Sequence, residues 1–519
     1  MKHPVAFITL LLALGATAAA ADAPAHPETG NAPTATATPP KAETSVTHGS
    51  VKVDGETIRY TATAGTLILK NDAHKPIGSM FYVAYTKDGV ADPATRPVTF
   101  LYNGGPGSSS LWLHMGSVGP VRVETADAGY TPPAPYKVVS NQNSMLGKTD
   151  LVFIDAMGTG FSKIIGKDEG GAGTGKDFYG VDEDAKAFAQ FIYDYVSRND
   201  RWNSPKFLMG ESYGTTRSAA LVDYLEEHDS MDFNGVILVS SILDFQTASF
   251  NPGNDEPYIL YLPTYAATAC YHKVVQCPAD LPGYLQQVRE FATGPYAAAL
   301  MAGDRLSAQD EAAVLGKLAQ YTGLSQDYLK KARLRVSLFQ FMAELQRSRD
   351  LVTGRLDSRF SGSASDQLAE WAFNDPQSDA ISGAFVAALN QYVRDTLKFG
   401  QDMTYLPMSG KVNESWNWKH KHGFLDFGWP GYTNVAVDLA DAIRYNPHLK
   451  VQFENGYYDL ATPFFATEYT VEHMGLPKNL RDNISLNYYD AGHMMYVHVP
   501  ALKQLHDNLV RFYDQTLHH

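Results

Sequence analysis

The sequence predicts an α/β protein with a central, mostly parallel sheet, antiparallel strands leading into it and a mainly helical cap inserted between its later strands. Short runs at 98–102, 151–154, 207–209, 236–239, 451–453 and 484–488 are largely apolar, as parallel strands buried on both faces are. Intervals such as 179–198 and 218–225 carry the apolar spacing of helices, as crossover connections between parallel strands require. Between about 244 and 424 the strand signal vanishes, and 281–291, 312–321 and 385–397 show helical spacing instead. No internal repeat is visible.

In chain order, the basic start Met1-Lys2, an apolar run over 5–14 and the small residues 16–21 read as a secretory signal peptide over 1–21. That run is short for a bilayer span, and no cysteine follows it to take a lipid anchor. An exported protein, periplasmic or secreted, without a membrane span is therefore expected. Residues 22–45, rich in Pro, Ala and Thr, read as a flexible linker. Segments 51–53 and 57–60 alternate around Asp54-Gly55, and 66–69 and 80–85 follow, which suggests an antiparallel entrance. The first part of the core then spans 46–243, the cap 244–424 and the second part of the core 425–519.

A chain of 519 residues can bury a large core. Its formal net charge of −14 argues against nucleic acid or an anionic membrane surface as partner and serves solubility. The only cysteines, Cys270 and Cys277, are a close pair that an oxidising compartment favours as a local disulfide. As metal ligands with His272 they lack a fourth ligand and a zinc-type spacing, so no metal is expected.

Chemistry concentrates where the run 207–209 feeds into Gly210-Glu211-Ser212-Tyr213-Gly214. Glycines flanking a serine on a strand-to-helix turn let the backbone fold closely enough to push Oγ into a cleft, the arrangement of a nucleophile elbow. A serine nucleophile needs a base and an acid that orients the base. Asp459 follows the strand at 451–453, and His493 follows the strand at 484–488. Ser, Asp, His is the chain order of the α/β-hydrolase fold, and both residues lie at carboxyl ends of strands, where open α/β sheets place ligands. The rivals fit less well. His114 and Asp155 precede the serine, His420 and His422 follow no strand, and Asp490 is too near His493. Asn103-Gly104-Gly105-Pro106-Gly107, directly after the strand at 98–102, can aim a backbone N–H at an oxyanion; the N–H of Tyr213 would be the second donor.

Together, Asn103-Gly104-Gly105-Pro106-Gly107-Ser108, the segment 152–162, Gly210-Glu211-Ser212-Tyr213-Gly214 and Ala491-Gly492-His493-Met494 resemble the serine carboxypeptidase family, across most of the chain from about residue 80. The resemblance implies Ser212, Asp459 and His493 as triad and Gly105 and Tyr213 as oxyanion donors. It also implies Asn103, Gly104 and Glu211 as the site for a substrate's terminal carboxylate. A glutamate facing a carboxylate must be protonated to donate, so peptides with a free C-terminus should bind best at acidic pH. No metal or organic cofactor is implied. Three positions depart from the family pattern: Ser108 stands for a usual cysteine, Ser117 for a usual acid beside the carboxylate site, and Thr215 for a glycine. An esterase or acyltransferase on the same triad, and a non-catalytic binding protein on the same fold, are the alternative readings. Oligomeric state is not legible.

Overall fold

Asp54 and Gly55, both at positive φ, close a tight hairpin between β1 (Thr44–Val53) and β2 (Glu56–Lys70). The computed structural model describes residues 38–372, 374–422 and 431–517. The expected signal peptide, most of the expected linker and the 424/425 boundary lie outside them. β1 starts at Thr44, two residues inside the expected linker, because Thr44 and Ser45 pair with Gly65 and Ala64. The runs 57–60 and 66–69, read separately in the sequence, belong to one 15-residue strand. β3 (Pro76–Lys87) completes the antiparallel entrance.

Six parallel strands follow: β4 (Val98–Tyr102), β5 (Asp150–Ile154), β6 (Lys206–Glu211), β7 (Gly235–Val239), β8 (Lys450–Gly456) and β9 (Ile484–Tyr489). Their spatial order is β1-β2-β3-β5-β4-β6-β7-β8-β9, with the two-residue strand Lys163–Ile164 on β3. The fold is the mixed α/β arrangement expected, with β6 central.

Alternate strand residues feed two cores. Leu101, Phe153, Met209 and Ile237 face one, beneath the helices Pro376–Gln391 and Val499–Leu517. Phe100, Val152, Leu208 and Leu238 face the other, beneath Val181–Arg198, Tyr213–Asp229 and Ala436–Tyr445. Each such fully buried side chain contributes about 1.5–3 kcal/mol, which fixes the carboxyl ends of β4, β6, β8 and β9 relative to one another.

Between β7 and β8 the described residues are mainly helical, in two packing groups. Helices Glu256–Tyr271, Leu281–Phe291 and Ala308–Thr322 share a core with Tyr458, Leu460 and Phe464. Phe360, Phe385, Tyr392 and Tyr405 instead pack into the first sheet core. Cys270 and Cys277 are disulfide-bonded, so neither thiol is free to ligate a metal, and His272 Nε2 contacts Ser358 O at 2.6 Å. One feature corrects the reading of 244–424 as strandless: Leu351–Thr353 and Ser361–Ser363 form an antiparallel ribbon. Strands of three residues are too short for an alternation to register.

Candidate active site

The turn after β6 is built on a strained serine and small neighbours. Ser212 has φ 59° and ψ −129° and heads the helix Tyr213–Asp229. A Cβ on Gly210 would collide with the Gly214 carbonyl, and one on Gly104 with the N–H groups of Tyr213 and Gly214. Only glycine lets β6, the helix and the loop after β4 close on one another there. The helix start adds the positive end of its dipole beside Ser212. Among the described residues no backbone hydrogen bond occupies the N–H of Gly105 or Tyr213.

Asp459 and His493 stand at the ends of β8 and β9, both buried, with His493 Nδ1 2.8 Å from Asp459 Oδ2. The carboxylate is fully satisfied: the N–H groups of Ala461 and Thr462 donate to Oδ1 at 2.8 and 3.0 Å, and the Thr462 hydroxyl donates to Oδ2 at 2.7 Å. An acceptor-only partner fixes the proton of His493 on Nδ1 and leaves Nε2 as the basic nitrogen. Burial opposes charge on His493, but Asp459 and then Glu211 outweigh it, and the pKa is raised. His493 Nε2 has no protein partner among the described residues, and the ring and Ser212 line one cavity of about 590 Å³. Nucleophile–base contacts of this kind commonly tighten only when substrate binds.

Asn103, Gly104, Gly105 and Glu211 line the same cavity. Glu211 is buried, and burial pushes its pKa up to about 7; His493, the Tyr496 hydroxyl and the Asn103 amide pull against that rise, and Asp459 adds to it. Tyr496 donates to Glu211 Oε2 at 2.6 Å. Asn103 Oδ1 accepts from Leu113 N–H at 3.0 Å, while its Nδ2 is buried and makes no hydrogen bond of good geometry to any described protein group. A protonated acid and an unpaired amide donor thus border the space beside Ser212.

A raised carboxyl pKa has a cost in stability. The unfolded chain releases this proton near 4.5 and the folded chain only near 7, so folding stability falls as pH rises between the two. Glu211→Gln cannot ionise. Between pH 5 and 8 the stability of the variant should therefore gain on the wild type by about 2–3 kcal/mol, read from urea midpoints. A gap that does not change with pH would contradict a protonated Glu211.

The rival residues lie elsewhere. His114 is core, bonded to Tyr85 OH at 2.6 Å, with burial lowering its pKa to about 3. Asp155 accepts from Ser110 N–H and Tyr405 OH, bracing the loop after β5. His420 bridges Asp182 and Asp438, and His422 pairs with Asp441. Asp490 is exposed.

Residues the sequence reading missed complete the site. Leu356 O accepts the His493 N–H at 2.6 Å, Asp357 Oδ2 accepts the Gly492 N–H at 3.1 Å, and Tyr458 O accepts the Ser358 N–H at 2.9 Å. The loop of the cap ribbon therefore holds the acid loop and the base loop together. The departures also find their places. Ser108 pairs with Met408 as an isolated backbone bridge and accepts from Trp112 Nε1 at 3.1 Å. Ser117 Oγ donates to Leu113 O at 2.6 Å, within its own turn. Thr215 Oγ1 donates to Ser212 O at 2.7 Å, tightening the elbow. The ring of Tyr496 lies against Gly116, next to Ser117, so a phenol rather than a second carboxyl supports Glu211.

The chain is similar to known proteins. The pheromone-processing carboxypeptidase KEX1 of Saccharomyces cerevisiae is 27% identical over 181 residues, a match covering 33% of this chain and 24% of that protein. The crystal structure of its Kex1(delta)p form, described as a prohormone-processing carboxypeptidase, superposes with a TM-score of 0.54 at 18% identity, over 88% of this chain and 91% of that one. The family model described as serine carboxypeptidase matches residues 63–499 and so takes in the elbow, Asp459 and His493: the chain belongs to the serine carboxypeptidase family.

Proposed function

We propose that the protein is a serine carboxypeptidase that removes residues from the C-termini of peptides, with Ser212, His493 and Asp459 as triad and no cofactor in the reaction. As Ser212 Oγ attacks the scissile carbonyl, His493 Nε2 takes its proton. The carbonyl electron pair moves to oxygen, held by the N–H groups of Gly105 and Tyr213. Collapse breaks the C–N bond, His493 protonates the departing amino acid, and an acyl-enzyme remains. Water deprotonated by His493 then releases the shortened peptide and regenerates Ser212.

One observation favours an exopeptidase over a general acyl hydrolase: Glu211, buried and holding its proton up to about 7, stands with the unpaired Asn103 Nδ2 in the cavity beside Ser212. Both can donate to a terminal carboxylate, and a charge-assisted bond of this kind contributes substantially more than a neutral one. Below about pH 7 Glu211 donates; above it the ionised group repels the substrate carboxylate. The ratio of kcat/KM for a blocked dipeptide acid over its amide should therefore be about 10-fold or more at acidic pH and fall as pH rises through about 7. Equal cleavage of acid and amide across pH 4 to 8 would favour the esterase or acyltransferase reading, which the engagement of Ser117 within its own turn keeps open. In this reading the signal-like residues 1–21 make the enzyme an exported one, periplasmic or secreted.

A further inference from the structure

The cavity holds one charge that this chemistry does not use. Among its described lining residues, Glu211 is protonated at acid pH and His493 switches during the reaction, whereas the Arg355 guanidinium is permanently charged. Arg355 sits in the loop between the two ribbon strands, and its backbone is pinned at both ends: its N–H donates to Asp375 Oδ1 at 2.9 Å and its carbonyl accepts from Leu460 N–H at 3.0 Å, next to Asp459. The following residue, Leu356, holds the backbone of His493. The cation is thus carried by the segment that sets the acid and base, and the backbone from which its side chain springs is held relative to Asp459 and His493.

Its guanidinium is gripped by no described side chain, although its charge acts on the buried Asp375 carboxyl, whose burial-raised pKa it counters. Among the described residues no hydrogen bond or ion pair engages the Arg355 guanidinium, although Asp375 is its backbone partner. The Asp375 oxygens are already taken by the N–H groups of Arg355, Leu356 and Gln377 and by the Ser378 hydroxyl. The rest of the nearby wall, Ser378, Ile381, Ser382 and Met408, supplies hydroxyls and apolar surface but no anion. A planar fork of donors in a partly enclosed cavity matches a carboxylate.

Resting on the carboxypeptidase reading, we infer that Arg355 determines specificity: its guanidinium takes the carboxylate side chain of a substrate residue flanking the scissile bond, so that Asp or Glu is preferred there and Lys or Arg rejected. Placing a like charge against it in this cavity would leave both cations unpaired, which is the stronger half of the discrimination.

The test uses N-blocked dipeptides with Glu, Gln or Lys at the penultimate or the terminal position, together with N-blocked Glu and Gln p-nitrophenyl esters, at about pH 6, where a glutamate side chain is ionised. The wild type should prefer Glu over Gln by on the order of 10- to 100-fold at one of the two positions, with Lys poorest. In Arg355→Gln that ratio should fall toward unity, and in Arg355→Lys, which keeps the charge without the fork, it should be intermediate. A wild-type ratio near unity at both positions overturns the assignment without any variant, and so covers the case in which Arg355→Gln fails to fold. A ratio that survives Arg355→Gln, or equal slowing of Glu and Gln substrates, overturns it too. The esters separate the two claims. Arg355-dependent preference for the Glu ester with no dipeptide cleaved upholds Arg355 and removes the carboxypeptidase reading; dipeptides cleaved without discrimination do the reverse.

Discussion

Ser212→Ala should lower kcat by about 10⁶-fold, to the residue of rate that binding and the oxyanion donors alone provide. The size of the effect follows from how little else the cavity offers. Ser108, Ser378, Ser382 and Ser409 also line it, but none heads a long helix from a positive-φ turn as Ser212 does. The substitution itself is mild for the fold: alanine keeps the positive-φ turn no worse than serine does, and Ser212 N–H still bonds Val239 O at 3.0 Å. Loss of activity with an unchanged thermal midpoint, and loss of labelling by a serine-directed fluorophosphonate, is the expected pair of readings. Retained turnover in the variant would place the nucleophile elsewhere.

Asp459→Asn should cost about 10⁴-fold in kcat, a tautomer effect rather than a loss of shape. Oδ1 accepts two backbone N–H groups, from Ala461 and Thr462, so the asparagine must leave its carbonyl there and turn its NH₂ toward the Thr462 hydroxyl and His493. Facing a donor, the imidazole would have to carry its proton on Nε2, the nitrogen that needs to accept one from Ser212. The variant also removes the carboxylate that raises the His493 pKa, so the acid limb of the remaining activity should move to lower pH. Full activity, or an unmoved acid limb, would dissociate Asp459 from the base.

The two halves of the site differed in how readable they were. The six parallel strands were legible to within three residues because strands buried on both faces leave largely apolar runs, as in β4 and β7. Asn103, Glu211 and Ser212 were legible because they abut those runs, and Asp459 and His493 because they follow them. Tyr496 was not, since its partner Glu211 lies 285 residues away and a tyrosine after a histidine carries no pattern of its own. Leu356 and Asp357 were hidden for a different reason: they act from a cap loop through backbone contacts and one carboxylate, in a ribbon too short to show a period. Arg355 shares that loop, so the one permanent charge among the described residues of the cavity wall came from the part of the chain with the weakest sequence signal.

The most direct test of the central claim is the mass spectrum of an oligopeptide with a free C-terminus during digestion by the wild type, beside Ser212→Ala. Successive losses of single residues from the C-terminus, absent with the variant, are the predicted result. Internal fragments, losses from the N-terminus, or a C-terminal ladder undiminished in Ser212→Ala would contradict it.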